Sequence, residues 1–236
     1  MTIHSAIGRP SERRCVPVGV RSRLAGVALI AYDSLIRPRM LNWGATLEEQ
    51  RERLPGDEVI EPVMTHNTRA LTIDVCPESV WPWLVQIGDR RAGFYSYDWI
   101  ESYLFPGMVH RVDGKRSAVR IHPELQDLHV GDRIDTASIG KFQIGRPVTI
   151  LEQNEALVIG SWAFILRPVQ EDRTRLLVRD RDLGWLKYAA PRRSGLLRAI
   201  GSLVDYLIGE PLHFAMVRKM MLGIKERAEA TQNSGK

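Results

Sequence analysis

The chain has 236 residues, of which 44% are hydrophobic and 26% charged, and these ordinary values exclude a fibrous, disordered or integral membrane protein. This length is enough for one large domain with a sizeable core. The two cysteines, Cys15 and Cys76, are too few for a disulfide framework or a thiolate metal site, so we expect a protein of the reducing cytoplasm.

Residues 1–40 are expected to form a basic N-terminal extension. They contain seven arginines against Glu12 and Asp33, a net charge of +5 that equals the net charge of the whole chain. Residues 41–236 therefore have a net charge of zero. We expect no nucleic-acid partner, because such a partner requires a basic surface on the folded domain.

An apolar run, residues 24–36, lies inside this extension. Asp33 interrupts the run, which is shorter than the ~20 residues that a membrane-spanning helix needs. It also lacks the small residues of a signal-peptide cleavage site at its end. Two alternatives remain open. The run packs on the domain as a helix, or residues 1–40 make peripheral contact with an anionic membrane, at the inner membrane surface.

The folded domain is expected to span residues 41–230. Thr46 stands before an acidic turn, which predicts the N-cap of a short helix. Residues 65–75 alternate between polar and apolar side chains, the pattern of a half-buried strand. Pro77 then opens a helix, and a second short helix is predicted at about 97–104.

Residues 77–101 hold three of the six tryptophans and two of the six tyrosines. Such side chains have a large apolar body and a polar tip, so they line a core or a pocket that needs both. Charged residues, among them Asp98 and Glu101, stand between the rings, and a charge in aromatic surroundings must be paired or face a wet cavity. This favours a pocket, with plain core packing as the alternative.

Residues 105–128 are interpreted as a loop or lid. Three histidines fall in or beside it, His110, His122 and His129, at spacings that match no compact metal motif. We therefore expect solvated histidines there and no metal site.

Short segments that are β-rich or alternating follow this loop, and they predict an antiparallel meander. The predicted strands are 130–137, 147–152, 156–160, 161–168 and 174–182. In the last strand, arginines lie on one face and most apolar residues on the other. These arginines either face solvent, or Arg179 or Arg181 points inward to an acid or an anionic ligand group, and Asp98 or Glu101 is the acid that we expect.

Two helices are predicted at the C-terminal end of the chain. Residues 194–209 form an amphipathic helix that Ser194 caps and Gly209 stops. Its apolar stripe either packs on the domain or lies on a membrane surface. The final helix, residues 211–230, carries apolar residues at helical intervals and is expected to lie on the sheet. Residues 231–236 are expected to be a disordered tail.

The order of these elements resembles the START-like, or SRPBCC, superfamily, which includes polyketide cyclase and dehydrase-like proteins, and several motifs resemble a bacterial branch of it. The motifs are WGAT (43–46), LPGDE (54–58), TRALTIDVCPESVWPWLVQIG (68–88), RAGFYSYDWIE (91–101), IHPELQ (121–126), TRLLVRDR (174–181) and HFAMVRKMMLGIKERAE (213–229). The resemblance implies an α+β helix-grip fold, in which a curved antiparallel sheet wraps around a long C-terminal helix, with two short helices after the first strand. It also implies an apolar cavity between sheet and helix.

The superfamily includes lipid carriers, hormone receptors and polyketide cyclases, so the resemblance leaves function open. The sequence has no nucleophile elbow, phosphate loop or dinucleotide fingerprint, so no cofactor is expected. The leading hypothesis is binding or transport of a small hydrophobic ligand, a lipid or a polyketide-like molecule, in the internal cavity. The alternative is a cyclase or dehydratase enzyme, with an acid or base from Tyr95, Tyr97, Asp98 or Glu101.

The residues expected to form the ligand site combine aromatic bulk, charge and flexible apolar side chains. They are Trp83, Tyr95, Tyr97, Asp98, Trp99, Glu101, Trp162, Arg179, Arg181, Phe214, Val217 and Met221. The members expected to bound the cavity itself are Trp83, Tyr95, Trp99, Trp162, Phe214, Val217 and Met221.

Overall fold

The computed structural model describes six stretches of the chain. They are residues 26–58, 65–104, 111–139, 142–170, 172–182 and 194–234. The arginines before position 26 and His110 lie outside these residues, and so does the end of the predicted tail, 235–236. The chain divides into two compact units, Met1–Arg39 and Met40–Lys236.

The described helices include two short helices after the first strand, as the sequence predicts. The helices are α1 (Arg37–Leu41), α2 (Leu47–Arg51), α3 (Pro77–Val85), α4 (Asp98–Leu104), α5 (Gly195–Val204) and α6 (Glu210–Ser234). Residues 26–31 are also helical and continue into a π-helical segment, Tyr32–Ile36. The predicted N-cap of α2 is confirmed: the Thr46 hydroxyl accepts from the Glu49 N–H, and the Glu49 carboxylate accepts from the Thr46 N–H.

Six antiparallel strands form one curved sheet. The strands are β1 (Thr65–Ile73), β2 (Arg133–Ile139), β3 (Phe142–Glu152), β4 (Ala156–Ile159), β5 (Trp162–Gln170) and β6 (Arg173–Asp182). Their order is β1-β6-β5-β4-β3-β2, so the last five strands form the predicted meander and β1 joins its far edge. The β2 strand begins three residues later than predicted, because Gly131 adopts a φ of +97° in a turn that precedes it.

Apolar residues cover both faces of this sheet. The inner face faces α3 and α6, and its buried side chains are Leu71, Ile73, Phe164, Leu166, Leu176 and Val178. The outer face lies under α2 and the turn after it, and its buried side chains are Ala70, Val158, Ala163, Ile165 and Leu177, packed with Leu54. Successive residues of a strand point to opposite faces, so β1, β5 and β6 each contribute to both.

The α6 helix supplies the buried side chains that pack on the inner face. They are Val217, Met220, Met221, Ile224 and Ala228, each at most 3% exposed. Gly223 permits a close approach, since a Cβ there would lie 2.4 Å from the Tyr95 carbonyl oxygen. Tyr95 itself has a φ of +56°, unusual for a residue with a side chain, so backbone and helix are fitted tightly at this point.

The C-terminal helix differs from the sequence-based prediction in two respects. Gly209 does not stop a helix, because a π-helical turn, Asp205–Gly209, joins α5 directly to α6. Pro211 has no N–H to donate to the preceding turn, and its ring clashes with that turn. The wider π-helical turn relieves this steric clash. The predicted tail is also helical as far as Ser234, since the sequence has no Gly or Pro between Gly223 and Gly235 to end α6 earlier.

One of the loop histidines is also placed differently from the expectation. His122 is 2% exposed, and its ring nitrogens lie 3.0 Å from carboxylate oxygens of Asp113 and Glu124. Desolvation opposes protonation of this ring, but the two carboxylates outweigh it and raise the pKa of His122. The expectation of a solvated side chain is wrong for His122, whereas the side chain of His129 is 69% exposed.

Candidate functional site

Four of the predicted site residues lie together in the core between α3, α6 and the sheet. Trp83, Tyr95, Val217 and Met221 are at most 3% exposed and belong to one packed cluster. The Trp83 and Tyr95 rings meet edge to face with centroids 5.8 Å apart. The Tyr95 hydroxyl donates to the Trp83 carbonyl and accepts from the Gln86 amide, and burial raises the pKa of Tyr95. These contacts are those of a packed interior.

Trp99 lies outside this core. Its side chain is 71% exposed, so the expectation that it bounds an internal cavity is wrong. The reason is helical geometry: Asp98 and Glu101 are three residues apart on α4 and share its inward side, while Trp99 is rotated by about 100° from Asp98. Tyr97 is half-buried immediately before the helix.

The two α4 carboxylates converge on one buried arginine, Arg111. Its Nη1 lies 2.5 Å from Asp98 Oδ1, and its Nη2 donates to Glu101 Oε2. Asp98 also accepts from the Ser117 hydroxyl at 2.7 Å and from the Ser117 N–H at 3.1 Å. The Ser117 oxygen in turn accepts from the Tyr95 N–H at 3.0 Å, which ties the cluster to the aromatic segment.

Glu101 is the most strongly perturbed carboxylate of this cluster. Burial raises the pKa of Glu101 to about 7, and the charges of Asp98 and Asp89 act in the same direction, while Arg111 opposes them. Glu101 Oε1 and Arg111 Nε are buried and have no hydrogen-bond partner among the described residues. A carboxyl group that is half-protonated near neutral pH has the chemistry of a general acid or base.

The predicted pairing of Arg179 or Arg181 with these acids is wrong. Strand alternation places both arginines on the outer face with Leu177, on the opposite side of the sheet from the core. Arg179 is 1% exposed, and its guanidinium donates to Asp57 Oδ2 at 2.8 Å, and to the carbonyls of Glu49 and Glu52 at 2.7 and 2.8 Å. It therefore fastens α2 and the following turn to the sheet.

Arg181 makes fewer contacts than Arg179. It is half-buried, and its Nε and Nη1 atoms are shielded from solvent without a hydrogen-bond partner among the described residues. Arg181 therefore places two buried nitrogens, without a partner in the described parts of the chain, near the end of β6 on the outer face.

At the same end of the sheet, the inner face changes from apolar to polar. Arg69 on β1 and Asp180 on β6 are buried at 1% and 8% exposure, and each lies two residues from an apolar residue of its own strand, Leu71 and Val178 respectively. The Arg69 guanidinium donates to Asn67 Oδ1 at 2.9 Å and to the Met40 carbonyl at 3.1 Å. We name Asn67, Arg69, Trp162, Asp180 and Phe214 the polar end of the inner face.

Aromatic rings complete this polar end. The Phe214 ring of α6 lies 5.7 Å from the Arg69 guanidinium carbon. Trp162 stands directly opposite Asp180 in the β5–β6 register, and its ring packs against Phe164 with centroids 5.0 Å apart. The Trp162 Nε1 atom is buried and donates to no acceptor among the described residues. A buried donor without an acceptor is rare in folded proteins and indicates a missing partner.

The charges of the polar end are shifted by their burial. Burial raises the pKa of Asp180 to about 6, against the opposing effect of Arg69 and Arg146. Burial likewise lowers the pKa of Arg69 to about 10. The His213 Nε2 of α6 lies 3.5 Å from Asp180 Oδ2. The interior therefore holds ionisable groups in surroundings that penalise charge, which is typical of sites built for a ligand.

A separate open cleft lies near the C-terminal end of α6. It has a volume of about 600 Å³ and is lined by Trp83, Val119, Arg120, Ile121, Glu226, Arg227, Ala230 and Thr231. Arg227 is held in place, since its Nε donates to the Ala118 carbonyl at 2.8 Å and its guanidinium stacks 4.7 Å from the Tyr95 ring centroid. Arg120 and Arg227 bring positive charge to this cleft and Glu226 brings negative charge, so its lining carries charges of both signs.

Sequence reasoning missed Arg69, Asp180 and Arg111. The alternation of the strands could have revealed the first two. Arg69 lies on the same face of its strand as Leu71 and Ile73, and Asp180 lies on the same face as Leu176 and Val178. A charge in the apolar phase of a strand marks a buried charge. Arg111 has no comparable signal, because it lies in an irregular segment whose spacing to α4 predicts no contact.

The chain matches no family model, and no curated protein shows significant similarity to it. Among the described residues, no group of three or more His, Cys, Asp or Glu side chains is placed to hold a metal ion. The polar end of the inner face and the Glu101 cluster are therefore the features of the structure that bear on function.

Proposed function

We propose that the Met40–Lys236 unit has a helix-grip fold of the START-like kind and binds a small hydrophobic ligand at the polar end of the inner face, where Trp162 and Phe214 lie. The observation that carries this proposal is the polar end of the inner face. There an apolar wall ends at Trp162, whose buried Nε1 donor has no acceptor among the described residues. A hydrophobic ligand with an oxygen acceptor at one end would supply it.

The side chains of the polar end define the chemistry of the ligand that we propose. Trp162 offers an N–H. Arg69 brings a positive charge, but its Nε and Nη1 atoms already donate to the Met40 carbonyl and to Asn67 Oδ1. The ligand oxygen is therefore a carbonyl or hydroxyl that accepts from Trp162, as in a lipid or polyketide-like molecule. Phe214 and Phe164 would flank its apolar body.

Native mass spectrometry of protein recovered from its own host tests this proposal. We expect a lipophilic molecule bound at a ratio of one to one by wild type and by the control Trp99→Phe, whose indole is exposed. In Trp162→Phe the retained fraction should fall by up to about fivefold, since one hydrogen bond contributes about 1 kcal/mol. A bound molecule retained equally by all three proteins, or by none, would contradict the proposed site.

A second candidate function, a cyclase or dehydratase, is favoured by one specific observation. Glu101 combines a pKa of about 7 with an unpartnered buried oxygen, the state that a general acid or base requires. Such an enzyme would convert a β-hydroxy ketone to the enone with a rate that depends on an ionisation near pH 7. Glu101→Gln would abolish this turnover, while Glu226→Gln, an exposed control, would leave it unchanged.

Peripheral contact of residues 1–40 with an anionic membrane, at the cytoplasmic side, stays a prediction. Most of the arginines on which it depends lie before residue 26, outside the described residues. None of the described helices is long and apolar enough to cross a membrane.

A further inference from the structure

The helix that precedes α6 exposes its apolar side. Residues 195–209, here called the exposed helix, comprise α5 and the π turn that follows it. Its apolar stripe consists of Leu196, Leu197, Ile200, Leu203, Leu207 and Ile208, which are 43% to 73% exposed. Soluble proteins rarely leave so many large apolar side chains together on one surface, and such patches mark interaction sites.

The opposite side of the exposed helix is more polar and less exposed. Its residues are Arg198, Gly201, Ser202, Asp205 and Tyr206, all buried or half-buried. A helix that packs on a water-soluble domain normally has the reverse arrangement, with the apolar stripe inside and the polar stripe in water. The outward side of this helix is therefore suited to an apolar environment.

The sequence directly before the exposed helix indicates what that environment is. Residues 185–193 contain three basic residues, Lys187, Arg192 and Arg193, and no acidic residue. They also contain Trp185 and Tyr188, ring types that are enriched at membrane interfaces. An apolar stripe that basic and aromatic residues precede in sequence is complementary to a bilayer that carries anionic headgroups.

We propose that the exposed helix lies in the interface of an anionic lipid bilayer, with its apolar stripe among the acyl chains. Its fifteen residues are too few to span a bilayer, which needs about 20, so the helix lies parallel to the surface. This inference does not depend on the ligand site between the sheet and α6.

The helical segment of the other unit shows a similar surface. Val27, Leu29, Ile30, Leu35 and Ile36 are 48% to 67% exposed. The described residues of this unit therefore also expose an apolar helical surface, which follows the arginine-rich stretch 1–23 in sequence.

Co-sedimentation of the full chain with lipid vesicles tests the proposal. The vesicles contain phosphatidylcholine alone or phosphatidylcholine with phosphatidylglycerol. The test variant is Leu203→Gln/Leu207→Gln in the apolar stripe. The control is Val130→Gln/Val169→Gln, whose side chains are 61% and 53% exposed elsewhere on the surface. Circular dichroism and thermal unfolding of each variant report whether the fold is retained.

We expect wild type and the control to bind anionic vesicles and to bind neutral vesicles less, with binding that weakens as salt rises. The stripe variant should lose about tenfold or more in affinity, since burying a single leucine is already worth such a factor. Equal binding by stripe variant and wild type, or binding that ignores lipid charge, would overturn the proposal. So would failure of wild type to bind together with dimerisation that the stripe variant abolishes.

Discussion

The exposed helix and α6, which follow one another in one continuous helical segment, both carry apolar side chains at helical intervals, but these side chains differ in burial. Ile224 in α6 is fully buried against the inner face of the sheet, whereas Ile200 in the exposed helix is 49% exposed. The exposed helix continues into α6 through its π turn, Asp205–Gly209. Helical periodicity alone therefore indicates that a side is apolar, and the surrounding fold decides what covers it.

The largest expected effect comes from the same substitution made in both helices. Ile224→Ala should lower the free energy of unfolding by about 4 kcal/mol, because it opens a cavity in a packed core. Ile200→Ala should change it by less than about 0.5 kcal/mol, because its side chain is already half in solvent. Urea denaturation of both variants makes the measurement. Similar losses for the two would show that the exposed helix packs against the domain in solution.

The buried and exposed arginines of β6 extend the comparison to charge. Arg179→Met should cost about 3 kcal/mol, because it leaves Asp57 and the carbonyls of Glu49 and Glu52 without their buried donor. Arg173→Met removes an exposed pair with Asp74 and should cost less than about 0.5 kcal/mol. Equal midpoints in urea for Arg179→Met and Arg173→Met would refute the anchoring role of Arg179.

The pH dependence of stability compares a buried with an exposed glutamate. The pKa of Glu101 in the folded state, about 7, lies above its ordinary value of 4.5. The folded state therefore binds a proton more tightly than the unfolded state, and the stabilising contribution of Glu101 is lost as pH rises from about 4.5 to about 7. Glu101→Gln should remove about 2 kcal/mol of this loss. The control Glu226→Gln, with a side chain 64% exposed, should reproduce the wild-type slope.

A wild-type slope that survives in Glu101→Gln would assign the pH dependence to other groups. Asp180 is the first alternative, since its raised pKa, about 6, gives the same sign over a lower pH range. Asp180→Asn separates the two, because it should flatten the curve mainly between about pH 4 and 6.

Trp162 and Trp99 give the smallest expected effect on stability. Trp162→Phe removes a buried donor that has no acceptor among the described residues, so the lost packing is partly offset by relief of an unsatisfied group. We expect a loss of about 1 kcal/mol, and less than about 0.5 kcal/mol for Trp99→Phe. Thermal unfolding of the ligand-free proteins makes this measurement. A large loss for Trp162→Phe would mean that its N–H has an acceptor in the folded protein.

The sequence predicts the meander and the long C-terminal helix because both follow from local periodicity and turn chemistry, while the expected α+β class comes from the resemblance. It does not predict which face of β6 is inner, because Leu177 makes the arginine face partly apolar as well. Both faces of the sheet are covered, and so alternation alone is ambiguous there. The expectation that Arg179 or Arg181 reaches Glu101 fails for this reason.

The site is less predictable than the fold because its contacts are long-range. Arg111 meets Asp98 and Glu101 through an irregular segment that no periodicity describes. Trp99 is the next residue after Asp98 and yet faces solvent. The side of α4 that faces the domain determines this difference, and the sequence alone does not indicate that side. Aromatic density therefore indicates the segment of interest, while the role of each ring depends on packing.

The central claim, that the polar end of the inner face receives a ligand oxygen, is tested most directly by NMR of the indole N–H groups. The six tryptophans give six such signals, and loss of one in Trp162→Phe and of another in Trp99→Phe assigns these two. Titration with a long-chain methyl ketone should shift the Trp162 signal downfield as its N–H gains an acceptor, and leave the exposed Trp99 signal unchanged. A Trp162 signal that does not move while other signals show saturation would contradict the claim.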